Sequence, residues 1–211
     1  MTADDRVRTG RNADGARRQQ LLAAAAECFD EVGYSAVTVE MITARAGTSR
    51  PTFYVYFKSK DEVFLALVEK VGADLIEAQF LKGIGQAAPA QVIAATTQAY
   101  AEAIFTNGGL VGLIDTIAAT DPAVDEVWST VRATTIARFA QYVNSLDPDA
   151  VDLAAPADRL VHIIGDAIHY GAMRLARADD ATKEQFVSDQ KAIALRLIGL
   201  DAADEDVLLT D

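Results

Sequence analysis

The chain has 211 residues, of which 51% are hydrophobic and 24% are charged, and its net charge at pH 7 is −12. The apolar residues suffice for a sizeable core in one large domain or two small ones. The sequence has no run of about 20 apolar residues for a membrane span, no apolar secretory signal, and a single cysteine, Cys28, which excludes an internal disulfide or a cysteine-based zinc site. We therefore expect a cytoplasmic protein without a cofactor or a bound metal.

The negative charge lies outside the first 60 residues. Residues 1–60 contain nine Lys or Arg and seven Asp or Glu, a balance of +2, whereas the rest contains ten and twenty-four, a balance of −14. This asymmetry permits contact between the N-terminal end and nucleic acid. The arginines of an N-terminal arm either contact phosphates or the minor groove, or belong to a disordered tail. These residues are Arg6, Arg8, Arg11, Arg17 and Arg18.

Abundant Ala, Leu, Glu, Gln and Arg, together with recurrent capping signals, predict an all-α chain of about nine helices. The predicted helices are 15–32, 38–46, 49–57, 59–82, 89–106, 109–119, 121–146, 156–178 and 182–199. Two capping boxes, Ser59–Glu62 and Thr182–Gln185, mark helix starts, as do Asp121 before Pro122 and Pro156. The predicted breaks are Gly33, Gly47, Gly83, Gly85, Gly108 and Gly109. The polar ends, residues 1–14 and 201–211, are expected to be mobile.

The segment Thr38–Lys60 has the spacing of a helix-turn-helix unit. Val39, Ile42 and Ala46 fall on one face of a short helix, and Gly47 provides the tight turn that such a unit requires. Ser49 is placed to cap the next helix, with Pro51 in its first turn. Phe53 and Phe57, four residues apart, are predicted to face the core.

The other face of this second helix carries residues suited to DNA. Arg50 has the fork geometry to read guanine or to hold a phosphate, and Thr52 can contact a base edge. The hydroxyls of Tyr54 and Tyr56 suit phosphate oxygens. These features favour a recognition helix in the major groove. The alternative from spacing alone is a three-helix cap in an unrelated helical protein, with both tyrosines in ordinary packing.

The motif from Ala46 to Val63, AGTSRPTFYVYFKSKDEV, resembles the signature of the TetR family of transcriptional regulators, and the resemblance extends over about residues 17–70. It implies an N-terminal three-helix helix-turn-helix DNA-binding domain, residues 1–58, and a larger helical ligand-binding and dimerisation domain, residues 59–211. The DNA-contacting residues that it implies are Thr43, Arg50, Thr52, Tyr54, Tyr56 and Lys58. A narrower similarity, in Ser49–Phe57 and Val124–Thr130, points to the mycobacterial ethionamide-resistance type within this family, which has a long apolar ligand channel.

The resemblance also implies a mechanism. The chain is expected to be a repressor that binds a palindromic operator in double-stranded DNA as a homodimer, and that is released by a small hydrophobic effector. The dimer is expected to form through the helices near 156–178 and 182–199. Their apolar residues are Val161, Ile164, Ile168, Ile193, Leu197 and Ile198, and Gly165, Gly171 and Ala172 would allow close helix approach. Two recognition helices must lie about 34–36 Å apart to meet successive major grooves.

Beyond residue 70, the aromatic and polar residues of the long helices are candidates for an apolar pocket. The candidate ligand-binding residues are Phe105, Ile114, Trp128, Thr135, His162, Asp166, His169 and Tyr170. Any one of them can instead be an ordinary core residue.

His162, Asp166 and His169 fall on one face of the predicted helix 156–178. They can form a polar anchor for a ligand, a metal site or a satisfied hydrogen-bond network. Two functions from other classes use the same features differently. An all-helical enzyme would use this face as an acid–base site, although the sequence offers no nucleophile beside it; a helical adaptor would only dimerise, which leaves Arg50–Tyr56 without a role.

Overall fold

The computed structural model describes residues 3–80 and 87–201, with side chains from residue 15 onward. The helices of this part are α1 (Ala3–Ala36), α2 (Val39–Arg45), α3 (Arg50–Tyr56), α4 (Lys60–Ala78), α5 (Pro89–Ala118), α6 (Pro122–Asn144), α7 (Ala157–Leu175) and α8 (Asp180–Ile198). The described residues form no β-strand, and the predicted all-α class is confirmed. Among these helices, none is both long and apolar enough to cross a membrane.

Polar side chains cap most of the helix starts where the sequence places them. Ser49 and Ser59 accept hydrogen bonds from the backbone N–H groups of Thr52 and Glu62, and Asp121 caps α6. The predicted capping box at Thr182 is wrong. Helix α8 begins at Asp180 because the carboxylate of Asp179 accepts the Thr182 N–H.

Helix α5 is continuous from Pro89 to Ala118, so the predicted break at Gly108 and Gly109 is wrong. These glycines allow close approach of neighbouring elements instead. A Cβ atom on Gly108 would lie 2.2 Å from the Cβ of Ala176, and one on Gly109 would lie 1.5 Å from Oδ1 of Asp30. The described residues therefore form eight helices, where the sequence predicts nine.

Other predicted boundaries have mixed outcomes. Gly33 and Gly47 have φ angles of 75° and 57° and leave the helical conformation as predicted, whereas Gly83 and Gly85 lie outside the described residues. Helix α1 begins at Ala3 and not at residue 15, so the segment predicted to be mobile before residue 15 is helical from Ala3 onward. Helix α4 ends at Ala78 with Gln79 as its C-cap, about one turn before the predicted end. Of the predicted mobile end, residues 201–211, all but residue 201 lie outside the described residues.

Helix α4 contributes to two regions of the core. Near its start, Phe64 packs edge-on against the rings of Phe29 and Tyr34 in α1. Near its end, Leu75 is buried, and Gly72 brings the α4 backbone close to Val131 in α6. One helix therefore joins the N-terminal helices to the bundle of α5–α8.

The glycines of α5 give a matched test of this packing. Gly108→Ala would place a methyl group against Ala176, and we expect the free energy of unfolding to fall by about 1–3 kcal/mol. Gly112→Ala meets only ordinary contacts with Met173 and should raise the free energy of unfolding by about 0.5–1 kcal/mol through helix propensity. Urea denaturation of both variants measures the difference. Equal effects would contradict the close packing of α5 at Gly108.

Candidate nucleic-acid interface and ligand cavity

The turn between α2 and α3 is fixed by local hydrogen bonds and by contacts with α1. The Thr48 N–H donates to the Thr43 carbonyl at 2.9 Å, and Gln20 Nε2 donates to the Ala46 carbonyl at 2.9 Å. Arg45 makes two hydrogen bonds to Glu31 on α1, at 2.5 and 2.6 Å. The hydrogen bond from Arg45 lowers the pKa of Glu31. The end of α2 and the turn that leads to α3 are thus held against α1.

Helix α3 has one buried face and one exposed face. Phe53 and Phe57 are buried, as the spacing predicts, with ring centroids 5.8 Å apart. On the opposite face Tyr54 is 49% exposed and Val55 is 75% exposed. Tyr56 is half-buried and packs against the core. Tyr54 and Val55 are adjacent on this seven-residue helix, and an apolar pair rimmed by polar residues suits a binding surface.

Some of the charged groups near this surface already have partners within the chain. Arg50 Nη1 lies 2.6 Å from Glu40 Oε1, and a hydrogen bond with Tyr54 followed by the charge of Glu40 raises the pKa of the Arg50 guanidinium. Lys58 is exposed at the end of α3. Lys60 instead donates to the Tyr34 carbonyl at 2.9 Å, so it joins α4 to α1.

One predicted DNA contact does not lie on the exposed face. Thr43 is only 4% exposed, and its hydroxyl donates to the Glu40 carbonyl at 3.1 Å. Thr43 is therefore less accessible than the other predicted DNA contacts, and its contact with DNA stays a prediction. Thr52 is partly exposed, with its hydroxyl 2.9 Å from that of the cap residue Ser49.

A narrow cavity lies between the end of α4 and helices α5, α6 and α7. The cavity volume is about 30 Å³. The apolar lining consists of Ile136, Phe139, Val161, Ile164 and Ile168, and Gly165 leaves space in the α7 wall. The polar lining consists of Gln79, Thr96, Thr97, Tyr100, Arg132, Thr135, Asp166 and His169. The lining therefore combines apolar walls with several polar groups, a combination that small-molecule sites also show.

A hydrogen-bond network begins at the cavity wall with Tyr100 and His169 and continues to Asp115 and Trp128. His169 is 2% exposed, and its Nε2 donates to Asp115 Oδ2 at 2.9 Å, since an ionised carboxylate only accepts. Its Nδ1 lies 3.4 Å from the Tyr100 hydroxyl. The other oxygen of Asp115 accepts the Trp128 Nε1–H at 2.6 Å. Both ring nitrogens of His169 are therefore in use.

The network affects the ionisation of its members. Burial raises the pKa of Asp115, but the hydrogen bonds from His169 and Trp128 outweigh burial, so the pKa lies below its ordinary value. Burial raises the pKa of Tyr100 to about 12. At neutral pH the carboxylate of Asp115 is therefore ionised and the phenol of Tyr100 is neutral.

The structure divides the predicted ligand residues among four places. Thr135, Asp166 and His169 line the cavity. Trp128, His162 and Tyr170 line a neighbouring surface groove, which Asp166 shares. Phe105 lies away from the cavity, in a groove between α5 and α8, and Ile114 is a fully buried core residue. Because α5 packs against α8, the ring of Phe105 contacts the ring of Phe186 instead.

The predicted polar face of α7 is also divided. His169 is buried in the network, whereas His162 is exposed and Asp166 pairs with Arg132 at 3.0 Å. Within the described residues, no group of three His, Cys, Asp or Glu side chains is arranged to hold a metal ion. For His169, the interpretation as a satisfied hydrogen-bond network agrees with these contacts, and the three side chains do not form one acid–base site.

Sequence reasoning missed several cavity residues. Gln79 was assigned to the interior of a longer helix, and Thr97, Tyr100 and Arg132 were not singled out. Thr96 and Thr97 carried a usable signal, since two adjacent hydroxyls follow the apolar residues Ile93–Ala95. The position of Gln79 depends on where α4 ends, and the sequence does not mark that end.

Comparisons with known proteins agree with this geometry. Residues 21–67 match the bacterial regulatory proteins of the tetR family. The chain is 46% identical over 54 residues to the HTH-type transcriptional activator FasR of Mycolicibacterium smegmatis, but the match spans only 26% of this chain and 25% of FasR. It is 25% identical over 188 residues to the HTH-type transcriptional regulator EthR of Mycobacterium tuberculosis, covering 88% of this chain and 86% of EthR.

The fold is shared with solved structures. A bacterial regulatory protein of the tetR family from Rhodococcus RHA1 superposes with a TM-score of 0.73 at 17% identity, covering 88% of this chain and 98% of that chain. This similarity establishes that the chain has the fold of that protein, including the helices beyond residue 67.

The buried carboxylate gives a pH-dependent test. Asp115 has a lowered pKa in the folded chain, so its contribution to stability is present above the unfolded pKa of about 4 and is lost as pH falls through the folded pKa. We expect Asp115→Asn to lower the free energy of unfolding at pH 7 by about 1–3 kcal/mol. The deficit should shrink as the pH falls below about 4.

Urea unfolding at pH 7 and at successively lower pH measures this deficit, with the exposed Asp149→Asn as the control. A deficit for Asp115→Asn that stays constant down to the lowest pH would contradict the ionised network.

Proposed function

We propose that this chain, which belongs to the TetR family of bacterial regulatory proteins through its residues 21–67, is a ligand-responsive transcriptional repressor. In this proposal residues 1–58 bind DNA, and residues 59–211 bind an effector and dimerise. The observation that carries the proposal is the exposed face of α3. Its inner face is closed by Phe53 and Phe57, and its outer face presents Tyr54 and Val55 to solvent.

The residues of that face divide by chemistry. Arg50 can read guanine or clamp a phosphate through its two-pronged guanidinium. Tyr54 and Tyr56 offer hydroxyls, and Lys58 offers charge, to the DNA backbone. Thr52 lies at the edge of the helix, where its hydroxyl is shared with Ser49. Thr43 is buried in the free chain, and its contact with DNA stays a prediction.

Glu40 affects the electrostatics of this proposed interface. Its carboxylate holds Arg50 at 2.6 Å in the free chain and would repel nearby phosphates. Binding to DNA must therefore exchange the Glu40–Arg50 ion pair for a contact between Arg50 and DNA. An exposed ion pair contributes only about 0.2–1 kcal/mol, so the exchange is accessible at low cost.

Dimerisation is proposed through α7 and α8. Their outer surfaces expose Ile163 and Tyr170 on α7 and Ile193 on α8, and α7 packs directly on α8 through the contact of Gly171 with the Phe186 ring. An isologous pairing would bury these side chains and position two α3 helices on successive turns of a palindromic operator.

The proposed response to ligand runs through α4. Its last residues border the cavity and its first residues pack on α1. A small molecule that binds one arrangement of α4 better than the other would shift the population between DNA-binding and released states. A coupling of about 1–3 kcal/mol suffices for such a shift.

The proposed DNA-binding surface is the exposed face of α3, and alanine substitutions there test it. We expect Arg50→Ala combined with Tyr54→Ala to weaken binding to the intergenic DNA upstream of the chain's own gene by about 100-fold, because two contacts of about 1–3 kcal/mol each are lost. Fluorescence anisotropy with unrelated DNA as competitor measures the loss. Circular dichroism should be unchanged because both side chains are exposed. Lys70→Ala, an exposed charge change on α4, is the control, and equal weakening in both variants would reject α3 as the binding surface.

The second prediction concerns Glu40. Glu40→Gln removes the partner of Arg50 and a negative charge near the DNA, so affinity for any DNA should rise by up to about fivefold at low salt. The gain should diminish as salt increases. Weaker binding in this variant would show that Glu40 supports the interface instead of competing with it.

The third prediction concerns the dimer. Ile163→Glu should convert the dimer to a monomer, because a charge would be buried without a partner at the proposed interface. Sedimentation velocity measures the change. Val32→Glu, at a similarly exposed aliphatic residue of α1, should leave the dimer intact; a persistent dimer in Ile163→Glu would place the interface elsewhere.

A further inference from the structure

Val55 is the most exposed large hydrophobic residue in the part of the chain that the structure describes, with 75% of its surface open to solvent. It lies two residues after Phe53 and two residues before Phe57, and both phenylalanines are buried. Successive residues of an α-helix turn by about 100°, so Val55 points about 160–200° away from the two side chains that fix α3 to the core. Val55 therefore lies at the outermost point of α3.

The outermost line of α3 carries no hydrogen-bonding side chain. Pro51 lies one turn before Val55 on the same face and is also exposed. The polar residues beside this line have partners within the chain: the Thr52 hydroxyl lies 2.9 Å from that of Ser49, and Arg50 pairs with Glu40. A proline ring and an isopropyl group neither donate nor accept a hydrogen bond, so any contact that they make with a base is apolar.

The major groove of DNA has one apolar group that distinguishes the base pairs, the C5-methyl group of thymine. The other groups that mark a base in this groove are hydrogen-bond donors and acceptors. An isopropyl group placed against one of them would displace water without replacing its hydrogen bond, and this is unfavourable. An apolar residue at the outermost point of the helix therefore favours a methyl group and disfavours the polar base edges.

We propose that Val55 is a specificity-determining residue that recognises a pyrimidine 5-methyl group, which in unmodified DNA is the methyl group of thymine. The inference rests on the proposed function, because it takes α3 as the helix that enters the major groove. It adds the chemistry of one base position in each half-site. At that position the base is selected by apolar contact, whereas Arg50 and the two tyrosines offer polar contacts to the DNA around it.

Deoxyuridine tests the methyl contact, because it lacks the methyl group of thymine and keeps every hydrogen-bonding group of the base. The experiment uses duplexes that carry the two-fold symmetric site selected by the chain from genomic DNA, with one thymine of each half-site replaced at a time. At one thymine position we expect affinity to fall by about fourfold for one half-site and about 15-fold for both, since burial of a methyl group contributes about a fourfold factor. Fluorescence anisotropy measures the affinity.

Variants of the full chain assign this loss to Val55. Val55→Ala withdraws two methyl groups from the groove, and Val55→Thr exchanges one methyl group for a hydroxyl in nearly the same shape. The deoxyuridine effect at that position should fall to about twofold or less in Val55→Ala and should also decrease in Val55→Thr, with the effects at other thymines unchanged. Val32→Ala, which truncates an exposed valine of α1, is the matched control and should keep the full effect.

A modified cytosine supplies the same methyl group on a different base pair. A cytosine at that position presents a polar donor in place of the thymine acceptor, so binding should weaken. Methylation of this cytosine at C5 should then recover about fourfold in affinity for each half-site relative to the unmodified cytosine. The recovery should be absent in Val55→Ala, because the side chain that contacts the methyl group is shortened.

These measurements separate the inference from the proposed function. Specific binding that no single deoxyuridine weakens would overturn the methyl contact and leave the DNA-binding function intact. A deoxyuridine effect that stays at full size in Val55→Ala would also overturn it, since another residue would then contact the methyl group. If the unaltered chain selects no specific DNA at all, both the proposed function and the inference fail.

Discussion

Helix α4 buries side chains in two different surroundings, and the rest of the structure depends on that arrangement. At its start, Phe64 packs between the rings of Phe29 and Tyr34, and Lys60 donates to the Tyr34 carbonyl. At its end, Leu75 is buried in the bundle and Gln79 hydrogen-bonds to α6. Because close-packed interiors transmit displacements, movement at either end of α4 must be accommodated at the other. Under the proposed function, α4 would link the effector cavity to the DNA-binding helices.

The two ends differ in how fully their polar groups are satisfied. Around α1 and α3 the caps, the Arg45–Glu31 pair and the hydrogen bonds to the turn use the available donors and hold the recognition surface in place. The network of Tyr100, His169, Asp115 and Trp128 does the same beside the cavity. By contrast, Gln79 Oε1 and Thr97 Oγ1 are buried without a hydrogen-bond partner among the described residues. A rigid surface joined to a cavity with unused hydrogen-bonding capacity suits ligand-dependent control of DNA binding.

The sequence predicted the N-terminal helices more fully than the cavity. Capping serines, the glycine turn and the Phe53–Phe57 spacing are local signals, so α2, α3 and the start of α4 follow from a few neighbouring residues. Gly108 and Gly109 were interpreted as helix breakers because a sequence cannot show that Ala176 and Asp30 approach them. Similarly, helical periodicity placed His162, Asp166 and His169 on one face, whereas the packing of α7 buries His169 and exposes His162. Which residues line a cavity depends on the contacts of several helices, and a pattern within one helix does not contain that information.

The most direct test is selection of bound fragments from the fragmented genomic DNA of the source organism, with the unaltered chain and the Arg50→Ala, Tyr54→Ala variant in parallel. Sequencing of the retained fragments measures specificity without prior choice of an operator. We expect enrichment of a two-fold symmetric motif whose half-sites are separated by about one helical turn or a multiple of it, and loss of that enrichment in the variant. Retained fragments that match the input in both samples would contradict a sequence-specific DNA-binding function.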